Sequence, residues 1–216
     1  MLTAVILLSA VPLLAGLLYF RKRQSLPGIA LTKPSLSALF VLAALTGSHG
    51  HPQYFAFILA GLLFCLAGDV FLISASRKFF LAGLIAFLAG HVFYSIAFYT
   101  VASPGSSTLF AATACCLLSG AFFLRIRPYL GTMMLPVAAY VAIITIMVIG
   151  AATLMGESGL PVGGRALALT GAVFFYLSDL FVARERFVKH EFLNRLVGLP
   201  LYYAGQFMIA FSTSLL

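Results

Sequence analysis

Eight apolar runs, cut apart by short polar connections, constrain this chain more than any other feature. They fall at about 2–20, 32–47, 53–74, 79–101, 106–124, 130–151, 165–183 and 196–215. A helix needs roughly 20 apolar residues to cross a bilayer, and fewer where flanking side chains snorkel. In hydrocarbon each backbone amide must be satisfied inside its own segment, so such runs become helices. The composition agrees: 62% of residues are hydrophobic and 8% charged, against about a quarter charged in soluble domains. The expected fold is therefore all-α, a polytopic membrane protein with one transmembrane domain over 1–216 built as an eight-helix bundle.

The breaks carry turn chemistry at Gly47–Pro52, Ser103-Pro104-Gly105 and Gly156–Gly164. The second run is short, and Lys33-Pro34 is read as its start, with proline in the first turn. The first run precedes its basic cluster, Arg21-Lys22-Arg23, the reverse of a cleavable signal, so it counts as a span.

Charge sets the orientation. Twelve of the thirteen Lys and Arg residues fall in alternate connections, and only Arg165 falls in the others. By the positive-inside rule those connections face the cytoplasm and both termini lie outside it, in the cell (inner) membrane. The net charge of +8 is thus a topology signal, and the bilayer rather than nucleic acid is the expected partner. Nothing in the pattern fixes an oligomeric state. Cys65, Cys115 and Cys116 lie in apolar runs without CxxC spacing and read as packing residues.

Of the five acidic residues, only Asp69 and Asp179 lie within apolar runs. A carboxylate at membrane depth costs at least ~2.5 kcal/mol on insertion scales and marks a functional site by default. Each lies near the C-terminal end of its span, where the macrodipole disfavours an anion. Their segments also match at an offset of 110, Gly61–Phe71 against Gly171–Phe181, sharing Gly, Phe, Asp and Phe. Two parallel four-helix repeats would put both carboxylates at one depth. The competing reading is an ion pair with an arginine of the basic loops. On the sequence alone, Asp→Asn at either position is expected to insert and fold at least as well as the parent.

In the fourth run Phe80, Gly83, Phe87, Gly90, His91 and Tyr94 share one helix face, either a packing seam or part of a polar interior. Other motifs fail. His190-Glu191 begins like a zincin helix, but Asn194 stands where the second histidine belongs. His49 and His51 have no third ligand in their loop and read as solvated. Gly163-Gly164-Arg165 lacks the phosphate-loop pattern, and no serine lies in a GxSxG elbow. No metal and no cofactor is expected.

Five segments together resemble the YhhN/lysoplasmalogenase family of membrane proteins. They are Leu62–Ile73, Phe80–Phe98, Thr32-Lys33-Pro34, Gly171–Asp179 with Ala183 and Phe187 behind it, and Tyr202–Gln206. The resemblance implies hydrolysis of the vinyl ether bond of a lysophospholipid substrate, a lysoplasmalogen, to a fatty aldehyde and glycerophospho-ethanolamine or -choline. It makes Asp69 and Asp179 the acid and base, in either order, by the logic of two-carboxylate glycosidases. His91, Tyr94, Tyr140, Ser178, Tyr202, Tyr203 and Gln206 become supporting residues. Lys33 is read either as a phosphate contact or as a snorkelling lysine. Gly205 departs from the alanine expected there, with little consequence. Two other classes stay open: a proton-coupled transporter using an Asp/His relay, and a non-catalytic lipid-binding protein.

Overall fold

The computed structural model describes residues 2–74 and 76–216. Eight long helices account for most of them: α1 (Leu2–Lys22), α2 (Leu26–Leu45), α3 (Pro52–Phe71), α4 (Arg77–Val101), α5 (Ser106–Ile126), α6 (Met134–Thr153), α7 (Val162–Ala183) and α8 (Phe192–Ser212). Among the described residues there is no strand. Seven of the helices, α1 to α7, are long and apolar enough to cross a membrane. The eighth, α8, has comparable length but buries Asn194, Tyr202, Tyr203 and Gln206, so its polarity faces the bundle. The chain is an integral, multi-pass membrane protein.

One boundary differs from the sequence reading. Helix α2 starts at Leu26, not at Lys33-Pro34, and it is a full 20 residues long. Ser25 caps it by accepting from the Gly28 amide, Pro27 occupies the first turn, and Pro34 lies inside the helix. Lys33 is thereby carried two turns into the bundle and buried.

Contacts between connections sort the two ends of the bundle. At one end Arg21 donates to the Leu72 carbonyl, Arg77 donates to Thr132, and the Arg186 guanidinium lies over the Phe80 ring. Lys22 of the first connection sits 6.0 Å from the Phe192 ring at the last. All four basic connections therefore meet, as their charge pattern predicts. At the opposite end His49 stacks on Phe55 and contacts the Thr213 carbonyl, so it is packed rather than solvated. There Ser103 also meets Glu157.

Two helix pairs pack most closely, and each crosses on glycine. In α3–α4 a methyl on Gly90 would lie 3.1 Å from the Gly61 carbonyl oxygen. In α7–α8 a methyl on Gly205 would lie 2.7 Å from the Gly171 oxygen. Gly61 and Gly171 each precede their aspartate by eight residues, so the segment match is also a packing match. Gly205 is consequential after all: the backbone opposite leaves no room for alanine without a shift. One apolar core runs through the bundle from Leu17 to Phe175 and Ile209. Cys65 belongs to it, Cys115 is half-buried, and Cys116 is exposed, which corrects its reading as a packing residue.

Candidate functional site

The polar side chains gathered around the two intramembrane aspartates come from six helices and form two networks. The first centres on Asp69, which is 1% exposed near the end of α3. Lys33 and Ser37, one turn apart on α2, both reach it: Lys33 Nζ lies 2.9 Å from Oδ1 and Ser37 Oγ donates to Oδ2 at 2.5 Å. Tyr202 of α8 donates to Oδ2 at 2.7 Å, and Lys33 also donates to the Asp69 carbonyl at 3.1 Å. Behind them, Tyr94 donates to Gln206 and Gln206 donates to Tyr202, while Tyr203 contacts Ser37 and donates to the Lys33 carbonyl. Asp69 thus makes an ion pair, but with a lysine from within the bundle rather than an arginine of the loops. Desolvating both charges is costly, and the surrounding hydrogen bonds are what make such a pair tolerable.

The second network centres on Asp179. Its side chain is 18% exposed. Tyr140 of α6 donates to Asp179 Oδ2 at 2.6 Å, and His91 Nε2 lies 2.9 Å from the Tyr140 oxygen and 3.6 Å from the carboxylate. Since the Tyr140 proton goes to Asp179, the His91–Tyr140 bond uses a proton on Nε2. His91 Nδ1 is buried with no partner among the described residues. No hydrogen bond to Asp179 Oδ1 is seen among them either.

Phe175 stands between the two networks, packing edge-on against His91 at 4.6 Å and against Tyr202 at 5.1 Å. One cavity nevertheless touches both. Its volume is about 410 Å³, within the range that holds a small amphiphile. Asp69, Asp179, Lys33, Tyr140, Ser178 and Tyr202 contribute polar groups to its wall. Leu72, Phe80, Phe87, Val137 and Ile144 contribute apolar ones, and Arg21, Arg186 and Arg195 stand at the end with the basic loops.

The site residues expected from sequence therefore divide by layer. His91 sits behind Tyr140 and off the cavity wall; Tyr94, Tyr203 and Gln206 likewise lie one layer back. Ser178 lines the cavity, but its hydroxyl returns to the Phe175 carbonyl and orients neither carboxylate. Lys33 is held by Asp69, not snorkelling at the interface. Ser37 was not anticipated; its signal was the four-residue step from Lys33 on one helix face.

The sequence profile of the YhhN family matches residues 28–213, and the chain belongs to that family. A human protein named lysoplasmalogenase TMEM86A is 33% identical over 159 residues, which cover 72% of this chain and 64% of the human one. The bovine protein of the same name is 31% identical over 194 residues, covering 86% of this chain and 68% of the bovine one. The chain thus spans a little under two thirds of the human relative. No solved structure matches it.

Proposed function

We propose that the protein is a membrane hydrolase that cleaves the vinyl ether bond of lysoplasmalogens, with Asp179 as proton donor and Asp69 as the fixed anion. The observation that carries this reading is one cavity bordered by two carboxylates in unlike surroundings. Acid–base assignments follow from such differences between neighbouring carboxyls. Asp69 is committed to Lys33, Ser37 and Tyr202, which leaves it poorly placed to give up a proton. Asp179 has one bonded oxygen and one with no donor among the described residues, backed by Tyr140 and His91.

In the reaction the Asp179 proton goes to the alkenyl carbon next to the ether carbon. The double-bond electrons form the new C–H bond, and an oxocarbenium ion develops across the ether carbon and oxygen. The Asp69–Lys33 pair supplies a fixed dipole whose negative end stabilises it. Water adds to the ether carbon and returns a proton to Asp179. The hemiacetal collapses to a fatty aldehyde and glycerophospho-ethanolamine or -choline, whose sn-1 hydroxyl is freed. One water is consumed and the acid is restored. Lys33, Tyr140 and His91 act through the carboxylates, as positioning residues. We infer further that the basic loops face the cytoplasm, so the cavity lies in the cytoplasmic half of the membrane.

The test is release of fatty aldehyde from a 1-alkenyl lysophosphoethanolamine by the purified protein in detergent, with Asp179→Asn as control. Aldehyde above the control supports the reading and needs no proton gradient, unlike coupled transport. Aldehyde output equal to that of folded Asp179→Asn overturns it.

A further inference from the structure

The cavity has a cationic end that the chemistry at the carboxylates does not use. Arg21 closes α1, and one of its terminal nitrogens donates to the Leu72 carbonyl at 3.3 Å. Arg186 follows α7, with its guanidinium 4.5 Å from the centre of the Phe80 ring. Both line the cavity, and among the described residues neither forms an ion pair. Lys33 is the contrasting case, a cation neutralised by Asp69 at 2.9 Å. Arg195 is intermediate: it lines the same end but is held by Glu185, 2.9 Å from its Nε. Glu185 is itself taken up by His190, Asn194 and the Glu191 amide, so it has little acceptor capacity left for Arg21 or Arg186.

We propose that Arg21 and Arg186 form the seat for the phosphate of a single-chain lysophospholipid, and that Lys33 does not. This rests on the hydrolase reading for which bond is cut, and on the cavity alone for which group is bound. Guanidinium groups present forked donors matched to phosphate oxygens, and two of them standing without carboxylate partners meet a dianionic or monoanionic headgroup. Depth agrees with this placement. Leu72, where Arg21 is anchored, lies three residues beyond Asp69, roughly 4.5 Å along a helix axis. The phosphorus and the sn-1 ether oxygen of such a lipid are five bonds apart, a reach of roughly 6 Å when the zigzag is extended and each bond advances about 1.25 Å. A phosphate at the arginines therefore leaves the ether bond level with the carboxylates and the chain against Phe87, Val137 and Ile144.

The experiment compares Arg21→Gln, Arg186→Gln and their double variant on two substrates. One is a 1-alkenyl lysophosphoethanolamine and the other the matched 1-alkenylglycerol, which lacks phosphate. Each arginine removed is expected to raise KM for the phospholipid about tenfold, the effect of losing one charge-assisted hydrogen bond. KM for the alkenylglycerol moves far less, and Arg→Lys restores part of the phospholipid effect. Equal changes on both substrates, or none, overturn the seat. A binding arm uses a non-cleavable alkyl lysophosphoethanolamine and, separately, inorganic phosphate. Arginine-dependent binding of the lipid, without any turnover, keeps the seat and removes the hydrolase reading. Binding of inorganic phosphate as tight as that of the lipid overturns the lipid headgroup as its occupant. Should a Gln variant fail to fold, the Lys variants carry the same comparison.

Discussion

Asp69 and Asp179 stand at the same place in two matching segments, each eight residues past a glycine on which its helix pair crosses, yet their surroundings differ in kind. Asp69 is sealed by a lysine, a serine and a tyrosine. Asp179 has a tyrosine backed by a histidine and keeps part of its surface open. A shared backbone frame evidently fixes where a carboxylate sits, while its partners on α2, α6 and α8 fix what it can do. One position holds a carboxylate compensated by a lysine, and the other holds one that keeps part of its surface toward the cavity.

Breaking the sealed side should have the largest effect. Removing one partner of a buried pair strands the other, at about 3–5 kcal/mol. Lys33→Met should therefore shorten the thermal half-life in detergent severely, and Asp69→Asn should too, because Lys33 remains. This reverses the expectation, natural from sequence, that Asp69→Asn would fold at least as well as the parent. Adding Asp69→Leu to Lys33→Met should recover much of the loss; failure to recover would show that the pair is not what the single variants break.

On the open side the prediction changes from stability to turnover. Asp179→Asn should keep the parental half-life and lose at least ~10²-fold in aldehyde formation. A folded variant with near-parental turnover would make the two carboxylates alike in being structural. The frame itself can be probed next. Gly205→Ala sets a methyl against the Gly171 carbonyl and should cost about 1–3 kcal/mol through a forced helix shift. An unchanged half-life would mean that the α7–α8 crossing is loose. The smallest effect is the control: Gly120 of α5 has nothing within 4 Å of its would-be methyl. Gly120→Ala should stabilise by roughly 0.5–1 kcal/mol, as an interior helical glycine allows.

The helices were legible because hydropathy and turn residues act locally, and the meeting of the basic connections followed from a one-sided charge count. The start of α2 was misread because Pro34 looked like a first-turn proline, whereas Ser25 and Pro27 already supply the cap. Both aspartates were legible as costly residues in apolar runs. Their partners were not, since a lysine at 33 and an aspartate at 69 meet only through the packing of α2 on α3. For the same reason sequence could not rank His91 behind Tyr140, or show that the cavity-lining cations without an ion-pair partner among the described residues are Arg21 and Arg186 rather than Lys33.

Helix α8 carries a consequence for assembly. It is the least apolar of the eight, and its buried polar groups find their partners on helices made before it: Tyr202 with Asp69, Gln206 with Tyr94, Ser212 with Tyr54. Alone in lipid those side chains would be unsatisfied, so its insertion depends on acceptors and donors already in place. Biogenesis then has a direction: the helix that completes the site is also the one that needs it to exist, and ribosomal order delivers it after every partner it requires.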